Sequence, residues 1–242
     1  MLINFCDIPF IEHLDVEIIS RSKHPQIFNC INAWSFYSYY HNPDFKQAVL
    51  HGINLIDGAG IAWGASLLNK IHIHRITGFD LMLYMLKHSD LLRIKKVLFL
   101  GSSENVLSGI KKRIIKEFPD LKYTFYSPPY KNVFDSMDID QIHRFIQSNE
   151  PDLIFIGLSA PKQEIISLKL IELNSSAKYF CNIGAAFDFY AGTESRAPFF
   201  LQKIGLEGLF RTFLNPVKHL KKDIKSYPFL VKKILQYKIY GK

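Results

Sequence analysis

Leu153-Ile154-Phe155-Ile156-Gly157-Leu158-Ser159-Ala160-Pro161-Lys162-Gln163-Glu164 is the stretch from which the fold can be read. Its first four residues are apolar without polar alternation, as in a strand covered on both faces, and the run is too short for a helix. Gly157 to Pro161 then turns the chain. Pro161 followed by Glu164 has the composition of a helix start, because proline is tolerated in the first turn and a carboxylate there meets the positive end of the helix dipole. A buried strand, a glycine-containing turn and a helix make one βα unit.

The same unit recurs on both sides. Gln26 to Asn32 reads as a strand followed by a helix through Tyr37 to Leu50. Ile53 to Ile56 runs into Asp57-Gly58-Ala59-Gly60 and a helix from Ile61 to Leu68. Lys96 to Leu100 ends in Gly101-Ser102-Ser103 before a helix carrying Val106, Ile110 and Ile114, and Lys178 to Ile183 ends in Gly184. Such a series predicts an α/β fold, a Rossmann-like parallel sheet with helices on both faces. No repeat and no Gly/Ser/Pro-rich linker divides residues 1–195, which read as one catalytic-sized α/β domain. Residues 196–242, from Arg196-Ala197-Pro198 onward, read as a helical appendage.

Composition sets the outer limits. The chain has 242 residues, 48% hydrophobic and 14% aromatic, which excludes disorder and low-complexity scaffolds. The formal charge of +8, from 30 Lys+Arg and 22 Asp+Glu, is unevenly distributed: residues 1–195 sum to −1 and residues 196–242 to +9. A neutral body with a basic end does not coat nucleic acid with its globular surface. In the appendage Val217, Leu220, Ile224, Tyr227, Val231 and Ile234 recur at helical spacing with lysines between them, a basic amphipathic pattern suited to an anionic bilayer surface. Pro228 is expected to kink or divide that helix. Cys6, Cys30 and Cys181 have no Cys-x-x-Cys spacing, so neither a disulfide framework nor a zinc site is indicated and a reducing cytosol is expected. The N-terminus does not read as a signal peptide, and no run approaches the ~18 apolar residues of a spanning helix.

In an open parallel sheet, ligands bind where the strands end. Asp57 follows an apolar strand and has two readings, a general base in the ligand crevice or a turn and cap residue. Gly101-Ser102-Ser103 fits either a phosphate loop or a serine-capped turn, without the dinucleotide fingerprint. Pro161-Lys162-Gln163-Glu164 brings an ammonium, an amide and a carboxylate to one helix start. Asp138-Ile139-Asp140 matches a metal-chelating Asp-x-Asp, but it begins a helix, where capping is the expected role. His72 and His74 have no third ligand nearby. Arg75, ahead of Thr77, Gly78 and Asp80, can meet a diphosphate or pair with Asp80.

The order of these clusters is more specific than any one of them. Asn32, Asp57-Gly58-x-Gly60-Ile61, Arg75-x-x-Gly78-x-Asp80-Leu81, Phe99-Leu100-Gly101, the run from Pro151 to Glu164, and Gly184-x-x-Phe187-Asp188-Phe189-x-Ala191-Gly192-x-x-x-Arg196-Ala197-Pro198 together resemble the WecG/TagA/CpsF family of bacterial glycosyltransferases. Gly205-Leu206-Glu207-x-Leu209-x-Arg211 and Pro216 continue the match, which covers about residues 25–222.

The resemblance implies an inverting, metal-independent transferase with no cofactor. It would move a sugar, of N-acetylmannosamine type, from a UDP-sugar to a polyprenyl-diphosphate-linked acceptor for teichoic acid, common antigen, capsule or exopolysaccharide. By the same resemblance Asp57 is the general base, and Arg75 and Gln163 are catalytic. Asn32, Gly101, Gly157, Lys162, Gly184, Asp188, Arg196 and Arg211 are substrate-binding, the glycine loops lining the UDP crevice. Cys30 stands where many members have Thr, a departure that bears on a hydroxyl contact and on the sugar. The appendage would dock on the inner face of the cell membrane, with Arg211, Lys218, Lys221 and Lys222 approaching the lipid diphosphate. Homo-oligomers are known in the family, and nucleic acid is not an expected partner. Competing readings are a non-catalytic nucleotide-binding membrane adaptor, a nucleic-acid-binding protein that uses the tail, and a Rossmann oxidoreductase, the last lacking its fingerprint.

Overall fold

Six parallel strands form the sheet that the run at Leu153 predicts. The computed structural model describes residues 2–241 apart from 199, 202–204 and 206; the side chains of Leu209, Arg211 and Lys218 are also outside the described residues. The strands are β3 (Gln26–Ile31), β4 (Ile53–Ile56), β5 (Lys96–Gly101), β6 (Lys122–Tyr126), β7 (Leu153–Gly157) and β8 (Tyr179–Asn182), in the order β4-β3-β8-β7-β5-β6. Register is tight at the centre, with Phe99 opposite Phe155 and Phe155 opposite Cys181. Val97 to Leu100, Leu153 to Ile156 and Tyr179 to Cys181 are buried throughout, which is why these strands read as unbroken apolar runs.

An antiparallel hairpin of β1 (Leu2–Phe5) and β2 (Ile8–Ile11) precedes this sheet. Its turn is Cys6-Asp7, both with positive φ (47° and 66°), the conformation of a two-residue primed turn. Sequence reading misses the hairpin because neither turn residue is Gly or Asn. It also misses β6, a half-buried edge strand whose Lys122-Tyr123-Thr124-Phe125-Tyr126 lacks an apolar run. The expected helix through Tyr37 to Leu50 is two helices, α2 (Ala33–His41) and α3 (Pro43–Leu50). Asn42 ends the first and caps the second, accepting from Phe45 N at 3.0 Å, because Pro43 cannot continue the α2 hydrogen-bond ladder.

The remaining helices are α1 (Val16–Arg21), α4 (Ala59–Asn69), α5 (Gly78–Lys87), α6 (Ser89–Leu92), α7 (Glu104–Glu117), α8 (Ser136–Asn149), α9 (Lys162–Glu172), α10 (Ala186–Ala191), α11 (Glu207–Leu214) and α12 (Pro216–Tyr240). Two compact units emerge, one from Met1–His13, Cys30–Thr77 and Ser195–Lys242, the other from Leu14–Asn29 and Gly78–Glu194. In the second, Phe99 centres an aromatic core, its ring 5.4 Å from those of Phe125 and Phe155 and 5.5 Å from Phe187.

In the first unit α12 packs on α2 and α4. Phe229 inserts among Phe36, Tyr37, Tyr40 and His41 with ring centroids 5.0–6.1 Å apart. Gly60 and Gly64, one helical turn apart on α4, make the room: a Cβ at Gly60 would stand 3.0 Å from Leu230, and one at Gly64 2.5 Å from Ile234. Pro228 does not divide α12, which runs unbroken through it with Ser226 and Leu230 buried on either side. The packing also splits the expected apolar stripe. Tyr227 and Ile234 turn partly inward, while Val217, Leu220, Ile224 and Val231 stay exposed and are continued by Leu235 and Ile239. Among the described residues no helix is long and apolar enough to cross a membrane.

Candidate active site

The residues singled out by sequence fall into both units. In the first, β3 ends at Ile31, whose carbonyl accepts from the backbone N–H groups of Asp57 (3.0 Å) and Gly58 (3.3 Å) just past β4. A Cβ at Gly58 would stand 3.0 Å from Asn32 Cα, so the two strand ends approach as closely as a glycine allows. Asn32 caps α2, its Oδ1 accepting from Trp34 N (3.0 Å) and Ser35 N (3.1 Å). Asp57 is half-buried, and the cap position of α4 belongs to Gly58.

Arg75 returns to the same strand end because Ile76 N donates to Ile56 O at 2.8 Å. Its guanidinium meets Glu207, Nη2 to Oε2 3.4 Å, and Arg196 Nε lies 3.5 Å from the other oxygen of that carboxylate. Glu207 opens α11 and its side chain is only 10% exposed. Two arginines thus share one half-buried carboxylate beside the end of β4, and guanidinium groups are suited to meet phosphate or a developing oxyanion. Glu207 carried no role in the sequence reading, although it lies inside the Gly205-Leu206-Glu207 motif. Its pairing with Arg75 spans 132 residues and has no local signature. Arg211 lies in α11 with its side chain outside the described residues, as does that of Lys218 in α12. Lys222 stands 5.5 Å from the Trp34 ring, while Lys221 is exposed.

In the second unit, Gly101, Gly157 and Gly184 stand at or just past the ends of β5, β7 and β8. Gly101 (φ +104°) and Gly184 (φ +55°) have backbones that favour glycine, whereas a Cβ at Gly157 would overlap the Phe187 ring. Ser103 caps α7, accepting from Val106 N at 3.4 Å. Asp188 sits in the first turn of α10, and its carbonyl accepts from Thr193 N at 3.0 Å. Lys162 heads α9, donating to Lys131 O at 2.8 Å and lying 5.3 Å from the Tyr130 ring; burial lowers its pKa.

Gln163 and Glu164 are buried at 4% and 0% exposure, and Gln163 Nε2 donates to Glu164 Oε1 at 2.9 Å. A chain of polar groups runs from there into the sheet. The Ser167 hydroxyl lies 2.9 Å from Gln163 O and 2.7 Å from Asn182 Oδ1, and Asn182 Nδ2 donates to Asn29 Oδ1 at 2.8 Å. Burial pushes the Glu164 carboxyl up to about 7, against the opposing pull of the Gln163 amide. Sequence reading places the Glu164 carboxylate at the helix start without a role of its own and misses Ser167, Asn29 and Asn182, whose only signal is one asparagine inside each of two apolar strands.

Asp138 is part of a capping box with Asp135 on α8, and Lys131 bonds its carboxylate at 2.7 Å, which lowers its pKa. Among the described residues no group of three His, Cys, Asp or Glu could hold a metal ion.

An open parallel α/β sheet takes its ligands where its strands end, and in the first unit Asp57, Arg75 and Arg196 stand at such an end. The model of the glycosyl transferase WecG/TagA/CpsF family matches residues 9–242, and the chain belongs to that family and is a glycosyltransferase. It is 28% identical over 211 residues to an N-acetylglucosaminyldiphosphoundecaprenol N-acetyl-beta-D-mannosaminyltransferase of Bacillus spizizenii, covering 86% of this chain and 79% of that protein. It is likewise 28% identical to the enzyme of that name from Bacillus subtilis strain 168 (86% and 78% covered) and 27% identical to one from Staphylococcus aureus strain MRSA252 (79% and 74%).

Proposed function

We propose that this glycosyltransferase moves an N-acetylmannosamine-type sugar from a UDP-sugar to a polyprenyl-diphosphate-linked N-acetylglucosamine, with inversion and without a metal. The observation that carries this reading is the strand-end cluster of the first unit. Asp57 follows β4 directly, and the Ile76–Ile56 bond brings Arg75 back to that strand end, where Glu207 and Arg196 join it. Asp57 takes the proton of the acceptor hydroxyl as that oxygen attacks the anomeric carbon. The arginines offset diphosphate charge as the leaving group departs, the service a divalent cation gives elsewhere. The activity for which the relatives are named supports the lipid-linked acceptor and the sugar.

The outward stripe of α12 supports attachment to an anionic bilayer. Val217, Leu220, Ile224, Val231, Leu235 and Ile239 are 48–94% exposed, with Lys221, Lys225, Lys232 and Lys238 also exposed on the same helix. The enzyme then works at the cytoplasmic face, where its lipid acceptor lies.

Incubation with a panel of UDP-sugars and a short-chain lipid-diphosphate N-acetylglucosamine, with products weighed by mass spectrometry in EDTA, tests the reading. One added N-acetylhexosamine with EDTA present is expected. Asp57→Asn should lower transfer by at least ~10²-fold while UDP binding persists. Turnover by Asp57→Asn equal to wild type would remove the general base from the scheme.

A further inference from the structure

The head of α9 carries two buried polar oxygens without a hydrogen-bond partner, Gln163 Oε1 and Glu164 Oε2. Leaving such atoms unpaired costs about 1–3 kcal/mol each, so a fold keeps them where something else supplies the missing bond. The two side chains are not equivalent. Gln163 has one donor group and one acceptor group, and its donor is committed to Glu164 Oε1 at 2.9 Å. The amide lies beside the Gly184 turn, its Oε1 3.7 Å and its Nε2 3.8 Å from where a Cβ of Gly184 would stand, and the carbonyl oxygen is the atom left without a partner. Below it, Ser167, Asn182 and Asn29 fix the first turn of α9 to the centre of the sheet.

We infer that Glu164 is a positioning residue: it holds the Gln163 amide so that its carbonyl oxygen faces the ligand and accepts a hydrogen bond from an N–H or O–H of the sugar nucleotide. This rests on the UDP-sugar reading above. The consequence is chemical selection. A phosphate oxygen is an acceptor and cannot pair with a carbonyl oxygen, so Gln163 Oε1 does not take the diphosphate. The complementary groups on a UDP-sugar are the hydroxyl or acetamido N–H of the sugar and the N3–H of uracil. Glu164 touches no substrate in this scheme.

Calorimetric binding of UDP, UDP-N-acetylmannosamine and inorganic pyrophosphate, with steady-state transfer, separates the outcomes for wild type, Glu164→Gln and Glu164→Leu. Glu164→Gln keeps an acceptor for the Gln163 amide and should stay within about threefold of wild type in both readouts. Glu164→Leu removes it, and should lose about tenfold in UDP-sugar affinity and in kcat/KM, with circular dichroism unchanged and pyrophosphate binding intact. A loss confined to the UDP-sugar assigns the bond to the sugar, and an equal loss on UDP assigns it to uracil. Wild-type affinity in Glu164→Leu, a Glu164→Gln defect as deep as that of leucine, or weakened pyrophosphate binding overturns the inference. Failure of the wild type to bind either nucleotide sinks the donor reading itself, and the inference with it.

Discussion

Glu164 sets a pH dependence that belongs to a single residue. Its carboxyl, raised by burial from 4.5 to about 7, keeps a proton in the folded chain that the unfolded chain has already released at the same pH. Its contribution to stability is therefore complete below about pH 4.5 and is lost as pH rises through 7, a change on the order of 3 kcal/mol. Thermal unfolding of the wild type should show a midpoint that falls between about pH 4.5 and 7, and Glu164→Gln should flatten that slope. Parallel slopes in the two proteins would place the titrating group elsewhere. Asp57 shows a different limit of residue-level reading. Its place after an apolar strand is visible in the sequence, but a turn or cap residue has the same neighbours. The tertiary arrangement adds what the sequence does not show, Gly58 at the cap position and the Ile31 carbonyl accepting from Asp57 N and Gly58 N beside Asn32.

At the scale of elements, the docking of α12 depends on what α4 lacks. Gly60 and Gly64 leave a shallow face that Leu230 and Ile234 fill, and Phe5 of β1 closes it 2.9 Å from where a Gly64 Cβ would stand. Gly64→Leu has no room there and is expected to cost about 1–3 kcal/mol or to lift α12 off its seat, with Gly64→Ala milder. Limited proteolysis within residues 216–240 together with the unfolding midpoint reads the difference, and a protease-resistant Gly64→Leu with unchanged midpoint would contradict this account. The far end of α12 is held by polar groups. Tyr40 donates to Cys6 O at 2.7 Å, and burial together with a hydrogen bond to Asp7 holds the Tyr237 hydroxyl up at about 12, against the opposing pull of its hydrogen bond with Tyr40. These contacts explain why the hairpin and the helix belong to one unit although they open and close the chain. The hairpin itself was hidden from the sequence, since Cys6-Asp7 adopts a turn normally signalled by Asn-Gly.

At the scale of the molecule, the charge of +8 divides into a near-neutral body and a C-terminal end of +9. Each lysine near an anionic surface adds about 1 kcal/mol, and the stripe from Val217 to Ile239 adds apolar area beside them. Ile224→Asp with Leu235→Asp should reduce binding to phosphatidylglycerol vesicles by at least ~10-fold while UDP binding is retained, and wild-type binding should weaken from 50 to 300 mM salt. Vesicle binding indifferent to both changes would leave α12 a structural helix alone.

The sequence by itself determined the parallel α/β sheet, the family and the polar residues at the strand ends. Buried strands announce themselves as local apolar runs, and the motifs keep their order along the chain. Only the tertiary structure decided which partners those residues have. Periodicity places Tyr227 and Val231 on one stripe of α12, but packing against α2 and α4 sends the first partly inward and leaves the second exposed. Glu207 meets Arg75 across 132 residues, and Asn182 meets Asn29 across 153. Such pairings form only when the chain closes on itself, so no local rule of spacing or propensity encodes them.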